Sequence, residues 1–287
     1  MSVDKLVDSA QLNSDLTSVA NAIRTKGGTS ASLAFPADFV SAINAISGGG
    51  GISIDDIATN TQPSGAIVLG SGVTTIADRA LQNKPITSIS GANVTDIKTD
   101  SLDGTRITSI TDTDFPKLGV GSLYRVLLRL PSTCTAIKLS GAYISLSSGS
   151  YALRNCTGLV TAEFPNAAKS VGASYKGMGQ YCFGGCTALQ MADIGFVTSI
   201  AANAFNGDTN FDTLVIRSTS VVSLSNVNAF SGTKFKNGGA GGTIYIPKSL
   251  YDALGTGTND YKAASNWSTV NGYGTITWAK IEGSIYE

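Results

Sequence analysis

Six short phrases recur along the middle of the chain, and their spacing limits the possible folds more than any other feature. Each joins a small residue to Leu or Phe: Ala80-Leu81, Ser101-Leu102, Ala152-Leu153, Cys182-Phe183, Ala204-Phe205 and Ala229-Phe230. Successive anchors lie 21, 51, 30, 22 and 25 residues apart. The unit is therefore about 21–23 residues. The interval of 51 holds two units plus an insertion, and that of 30 holds one unit plus an insertion. A Val-x-x-Ile or Val-x-x-Leu phrase precedes most anchors, as in Val73–Ile76, Val94–Ile97, Val197–Ile200 and Val221–Leu224. A short alternating strand follows, as at 86–89, 107–110, 159–164, 189–194 and 211–216.

A unit this short cannot bury its own apolar face. Stacked units share one core, so the pattern predicts a β-rich solenoid, the fold class that the leucine-rich-repeat resemblance given below also implies. Strands of successive coils then lie about 4.7–4.9 Å apart and pair through their backbones. Each coil repeats one residue type at one depth. Cys156 and Cys186 share an inward slot, Thr157 and Thr187 follow at the turn, and Leu159 and Leu189 are the next inward side chains.

The flanking segments divide the chain further. Residues 1–47 predict two short amphipathic helices. Leu16, Val19 and Ile23 lie on one apolar face, and Phe39 and Ile43 lie on another. A unit of this size rarely folds alone, so it is expected to attach or oligomerise. Residues 48–51 are a glycine joint. The solenoid is assigned to 52–247 and a C-terminal cap to 248–287.

Charge and residue usage narrow the function. Twenty basic and twenty acidic residues cancel, which argues against nucleic acid and anionic membrane as partners. No apolar run reaches the roughly 18 residues of a membrane span. The N-terminus lacks the apolar core of a signal peptide, so the expectation is a protein made in the cytoplasm and released by lysis. The four cysteines are read as packed, reduced thiols.

With no histidine, Ser-His-Asp and Cys-His arrangements are excluded. The carboxylate pairs Asp112/Asp114 and Asp55/Asp56 are read as solvated turn residues. No catalytic residue or cofactor is expected. Oxygen ligands at alternate positions in 206–212 leave a calcium loop open beside an ordinary turn. The stretch 172–181 reads as an insertion. Tyr175, Lys176 and Tyr181 there either contact a glycan or protein, or belong to a tolerated surface loop. Tyr261, Trp267, Tyr273 and Trp278 either close the last coil or form a carbohydrate platform. The cap is the better reading, and Trp267 and Trp278 are the platform candidates.

The phrases "VTSIAANAFNGDTNFDTLVI" (197–216) and "ALRNCTGLVTAEFP" (152–165) resemble the BspA-like leucine-rich repeats of bacterial surface proteins. That resemblance covers some 175 residues and implies a binding scaffold without catalysis. Residues 117–148 depart from the pattern. A second resemblance lies in "LTSVANAIRTKGGTSASLAFPADFVSAINAI", which is similar to a module at the start of phage tail and structural proteins. It implies a virion protein of tail, baseplate or capsid surface, with other virion proteins and further copies of itself as partners. Its target would be a host surface glycan or protein. A bacterial cell-surface adhesin is the alternative.

Overall fold

The computed structural model describes residues 64–126, 128–147 and 152–281, together with Thr17, Ser18 and Asn21, which are helical and exposed. The face residues Leu16, Val19, Ile23, Phe39 and Ile43, the joint at 48–51 and the pair Asp55/Asp56 lie outside the described residues.

The described chain winds through short strands that pair only in parallel. Two ladders result. The first holds β1 (Gly65–Val68), β3 (Ile86–Ser90), β5 (Ser109–Thr111), β7 (Ala136–Lys138), β9 (Thr161–Glu163), β11 (Met191–Asp193), β13 (Thr213–Val215), β15 (Gly242–Pro247) and β16 (Ile276–Ile281). Here β1 pairs with β3, and β5 to β16 form one seven-stranded sheet. The second ladder holds β2 (Thr75–Ile76), β4 (Asp96–Ile97), β6 (Tyr124–Arg125), β8 (Ile144–Ser145), β10 (Gly177–Met178), β12 (Ser199–Ile200) and β14 (Ser223–Leu224). Each coil runs from a first-ladder strand to a second-ladder strand and then to an anchor. Coil 1 contains β1 and β2, and coil 7 contains β13 and β14.

The anchors make the third side. The backbone N–H of the Leu or Phe donates to the carbonyl of the small residue one coil on: Leu81 to Ser101, Leu153 to Cys182, Phe183 to Ala204 and Phe205 to Ala229, at 2.7–3.1 Å. Two residues after the anchor the backbone turns left-handed at Asn83, Gly104, Asn155, Gly185, Gly207 and Gly232. Only Gly and Asn stand there, because they tolerate that conformation best. The coil that departs from the pattern has its anchor at Leu128, whose N–H donates to Ala152. The interval of 51 residues is therefore two units of similar length.

Stacking puts like residues in columns. Ile110, Ile137, Ala162, Ala192, Leu214 and Ile244 are in register and fully buried. The anchors Phe183, Phe205 and Phe230 stack at centroid distances of 5.3 and 5.7 Å. Burying each such side chain contributes about 1.5–3 kcal/mol. All four cysteines are free and buried. Asn155 N–H donates to Gly184, so Cys156 and Cys186 follow matching turns in neighbouring coils. Cys134 instead precedes Ala136, the partner of Thr161, and so occupies the Leu159 slot. Burial raises the Cys134 and Cys182 thiols, which keeps them protonated and inert.

The sheet continues past residue 247, the boundary expected for the solenoid. After α1 (Lys248–Asp252) and α2 (Trp267–Gly272), β16 pairs with β15 along its full length. The region 248–287 thus supplies a strand as well as a lid. The lid loop turns on Asp260, whose carboxylate accepts from the N–H groups of Gly255, Gly257 and Lys262 at 2.8–3.1 Å. Burial pushes this carboxyl up, but the three N–H groups and the Lys262 charge outweigh it and hold it below the usual range. Asp260→Asn should cost about 2 kcal/mol, because an amide NH2 would face N–H donors. Urea denaturation at neutral pH checks this, and a midpoint unchanged from wild type would show the loop to be held otherwise.

Candidate binding surface

Between first- and second-ladder strands most coils need only a short corner, such as 91–95, 139–143 or 194–198. Coils 3 and 5 use 112–123 and 164–176 instead. Both excursions begin alike, with a buried Phe followed by Pro: Phe115-Pro116 and Phe164-Pro165. Leu118 pins the first and Ala167, Ala168 and Val171 pin the second. Each then rises into a wholly exposed four-residue tip, 120–123 and 172–175. The second tip contains a 3₁₀ turn, Ala173–Tyr175, and leans on coil 4, where Ser145 Oγ donates to the Tyr175 carbonyl at 2.8 Å.

The tips carry most of the exposed apolar bulk. Among the described residues, three of the four exposed large hydrophobic side chains, Val120 (57%), Leu123 (40%) and Tyr175 (37%), stand on them. Val68 on β1 is the fourth. Lys117, Arg125 and Lys169 beside the tips are exposed, and Lys176 is half-buried. Lys169 Nζ lies 5.3 Å from the Phe196 ring centroid, and Lys117 Nζ donates to Asn93.

The expected site residues separate in the structure. Tyr175 lies on the coil 5 tip and Lys176 directly after it. The insertion lies at 164–176 rather than 172–181, because Gly177–Met178 is β10, paired with Ser199–Ile200. Tyr181 is half-buried at the anchor turn under the Arg154 guanidinium, 4.9 Å from its ring centroid. Trp267 is fully buried and cannot meet a ligand. Its Nε1 donates to Val222 O at 2.7 Å, and its ring lies 5.7 Å from Phe230, continuing the anchor stack. Trp278 is half-buried, 5.1 Å from Tyr261, with Nε1 donating to Asn271. Tyr261, Trp267 and Trp278 thus pack on one another and, through Trp267, on Phe230 at the end of the coils.

The acidic candidates are engaged in folding. Asp112 accepts from Ser140 N and Oγ, and Asp114 accepts from Thr111 N and Oγ1. The oxygen ligands of 206–212 do not converge as a calcium loop requires. Asp208 points into the core, while Asp212 pairs outward with Lys234 at 2.7 Å. Among the described residues no group of three or more His, Cys, Asp or Glu side chains could hold a metal ion. No described helix is long and apolar enough to cross a membrane.

Sequence reasoning missed Lys117, Val120, Leu123, Arg125 and Lys169. A signal was present. Residues 115–192 hold seven Lys or Arg and a single acid, Glu163, in a chain whose total charge is zero.

No curated protein matches the sequence. One similar solved structure is a leucine-rich repeat protein from Bacteroides ovatus, at 14% identity, covering 75% of this chain and 84% of that one, with a TM-score of 0.24. Residues 133–252 match the family model described as BspA type leucine rich repeat region, in six copies. Residues 133–252 are thus similar to a BspA-type leucine-rich repeat region, and the described residues form a β-rich repeat fold with few helices.

Proposed function

We propose that this protein acts by adhesion: a repeat scaffold whose coils hold two exposed tips against another surface, without catalysis. The observation that carries this is the pairing of a continuous parallel ladder with excursions from coils 3 and 5 that expose Val120, Leu123 and Tyr175. Burying such side chains on contact is favourable, and many weak contacts multiply with copy number. A bacterial cell-surface adhesin and a virion adhesion protein share this chemistry. The resemblance of 16–46 to a phage structural module favours the virion. Residues 1–47 would then bind other virion proteins or further copies of the chain, and lysis of the host would release the particle.

Fluorescently labelled full-length protein should bind whole bacterial cells saturably, and purified cell-wall glycans should release no new reducing ends. Turnover that disappears in Asp112→Asn or Asp114→Asn would overturn the adhesion reading. Antibody against the chain should label intact particles under electron microscopy; labelling of bacterial envelopes alone would favour the cell-surface form.

A further inference from the structure

Each exposed tip is bracketed by cations. Lys117 precedes 120–123 by three positions and Arg125 follows it by two; Lys169 precedes 172–175 by three and Lys176 follows it by one. None of the four forms an ion pair with a described residue. The other cations of this region are differently placed. Arg129 faces Asp100 and Asp103, Lys138 pairs with Glu163, and Arg154 covers Tyr181. Glu163 is the one acid between 115 and 192, and it lies on the first-ladder sheet, engaged by Lys138. The nearest described carboxylates are otherwise engaged: Asp112 accepts from Ser140, Asp114 from Thr111, and Asp96 pairs with Lys98. Among the described residues, the side of coils 3–5 that carries the tips is therefore lined by unpaired cations and is partly apolar.

We propose that this side binds an anionic polysaccharide, with Lys117, Arg125, Lys169 and Lys176 meeting its charged groups and Tyr175 lying against a sugar ring. This rests on the adhesion reading and names the ligand class for its surface. Coils 3 and 5 are two rungs apart, so the ladder strands beneath the two cation pairs are separated by about 10 Å. Such spacing suits a chain with an anion on every second or third unit. A DNA duplex offers a charge about every 1.7 Å of axis, far denser than four cations can match. Tyrosine presents a flat apolar face with a polar tip, which suits a sugar ring between charges. Carboxylate and phosphate glycans share the required chemistry, and the test separates them.

Full-length protein is titrated with polygalacturonate and with purified teichoic acid. Dextran serves as the neutral control, and polyglutamate and duplex DNA are the competing polyanions. Binding to at least one anionic glycan, weakening as salt rises and absent for dextran, is expected. The variant K117S/R125S/K169S/K176S should bind at least tenfold more weakly with an unchanged circular dichroism spectrum. Tyr175→Ala should weaken binding severalfold without altering its salt dependence. Equal affinity of the quadruple variant, salt-independent binding, or tighter binding to polyglutamate or DNA would each overturn the proposal. Cell adhesion that survives in the quadruple variant would sink this surface and spare the adhesion reading; no adhesion by the wild type would remove both.

Discussion

Trp267→Ala is expected to destabilise the protein by about 3–5 kcal/mol and to make it self-associate. The first part follows from the size of the cavity left by a fully buried indole. The second follows from what the indole does at the end of the second ladder. No described strand pairs with β14 on its outer edge, so its backbone groups would be open to another chain. Side chains of the lid take those bonds. Tyr261 Oη accepts from Val222 N at 3.1 Å, Trp267 Nε1 donates to Val222 O, and Asn266 Nδ2 donates to Leu224 O at 2.6 Å. Together they stand in for the coil that is missing. Trp267→Phe keeps most of the volume and loses the N–H, so it should cost less, about 1–3 kcal/mol, from the unsatisfied carbonyl. Thermal denaturation with light scattering checks both. A Trp267→Ala protein that melts with the wild type and stays monomeric would show that the last coil needs no lid.

Stability should fall as pH rises from about 4 to about 8, opposite to the usual acid-side loss. The cause is Asp208, which occupies the slot filled by Cys156 and Cys186 in earlier coils. It is fully buried; Oδ1 accepts from Cys186 N at 2.8 Å, and Oδ2 has no hydrogen-bond partner. Burial pushes its carboxyl up, the N–H groups of Cys186 and Gly185 offset only part of this, and the group titrates near about 8. The unfolded carboxyl ionises near 3.8. Between these values the native state holds a proton that the unfolded state has lost, so stability drops by about 1.4 kcal/mol per pH unit. The full span is of order 5 kcal/mol. Having no histidine, the chain has few other groups that titrate there. Asp193, also raised by burial although Arg217 opposes it, adds a slope of the same sign. Asp208→Asn should flatten most of the curve and leave the protein more stable than wild type at pH 8. Parallel curves for the two proteins in urea would show that Asp208 ionises freely in the fold.

The repeats were readable because a solenoid imposes the same environment once per coil. Leu81, Leu102, Leu153, Phe183, Phe205 and Phe230 are all core residues, and their spacing alone marks the stack. The coil anchored at Leu128 was hidden for a physical reason. Its turn lacks the left-handed Gly or Asn found two residues after the other anchors, so no local signal announced it. The binding surface was harder to read. Tyr175 and Lys176 stood out because they interrupt a pattern, whereas Lys117, Arg125 and Lys169 look like ordinary surface cations until coils 3 and 5 are stacked two rungs apart.

Composition and periodicity by themselves determined that the chain builds a stack of short coils, since residues of one type at one spacing can share a core in few other ways. They also identified the end as a place needing cover. Only the tertiary structure decided that Trp267 faces inward while Tyr175 faces water, that Asp208 sits in a cysteine slot, and that Lys117, Arg125, Lys169 and Lys176 share one side of the stack beside two tips. Those outcomes depend on which side chains meet across neighbouring coils, and residues more than twenty positions apart become neighbours only once the register between coils is set.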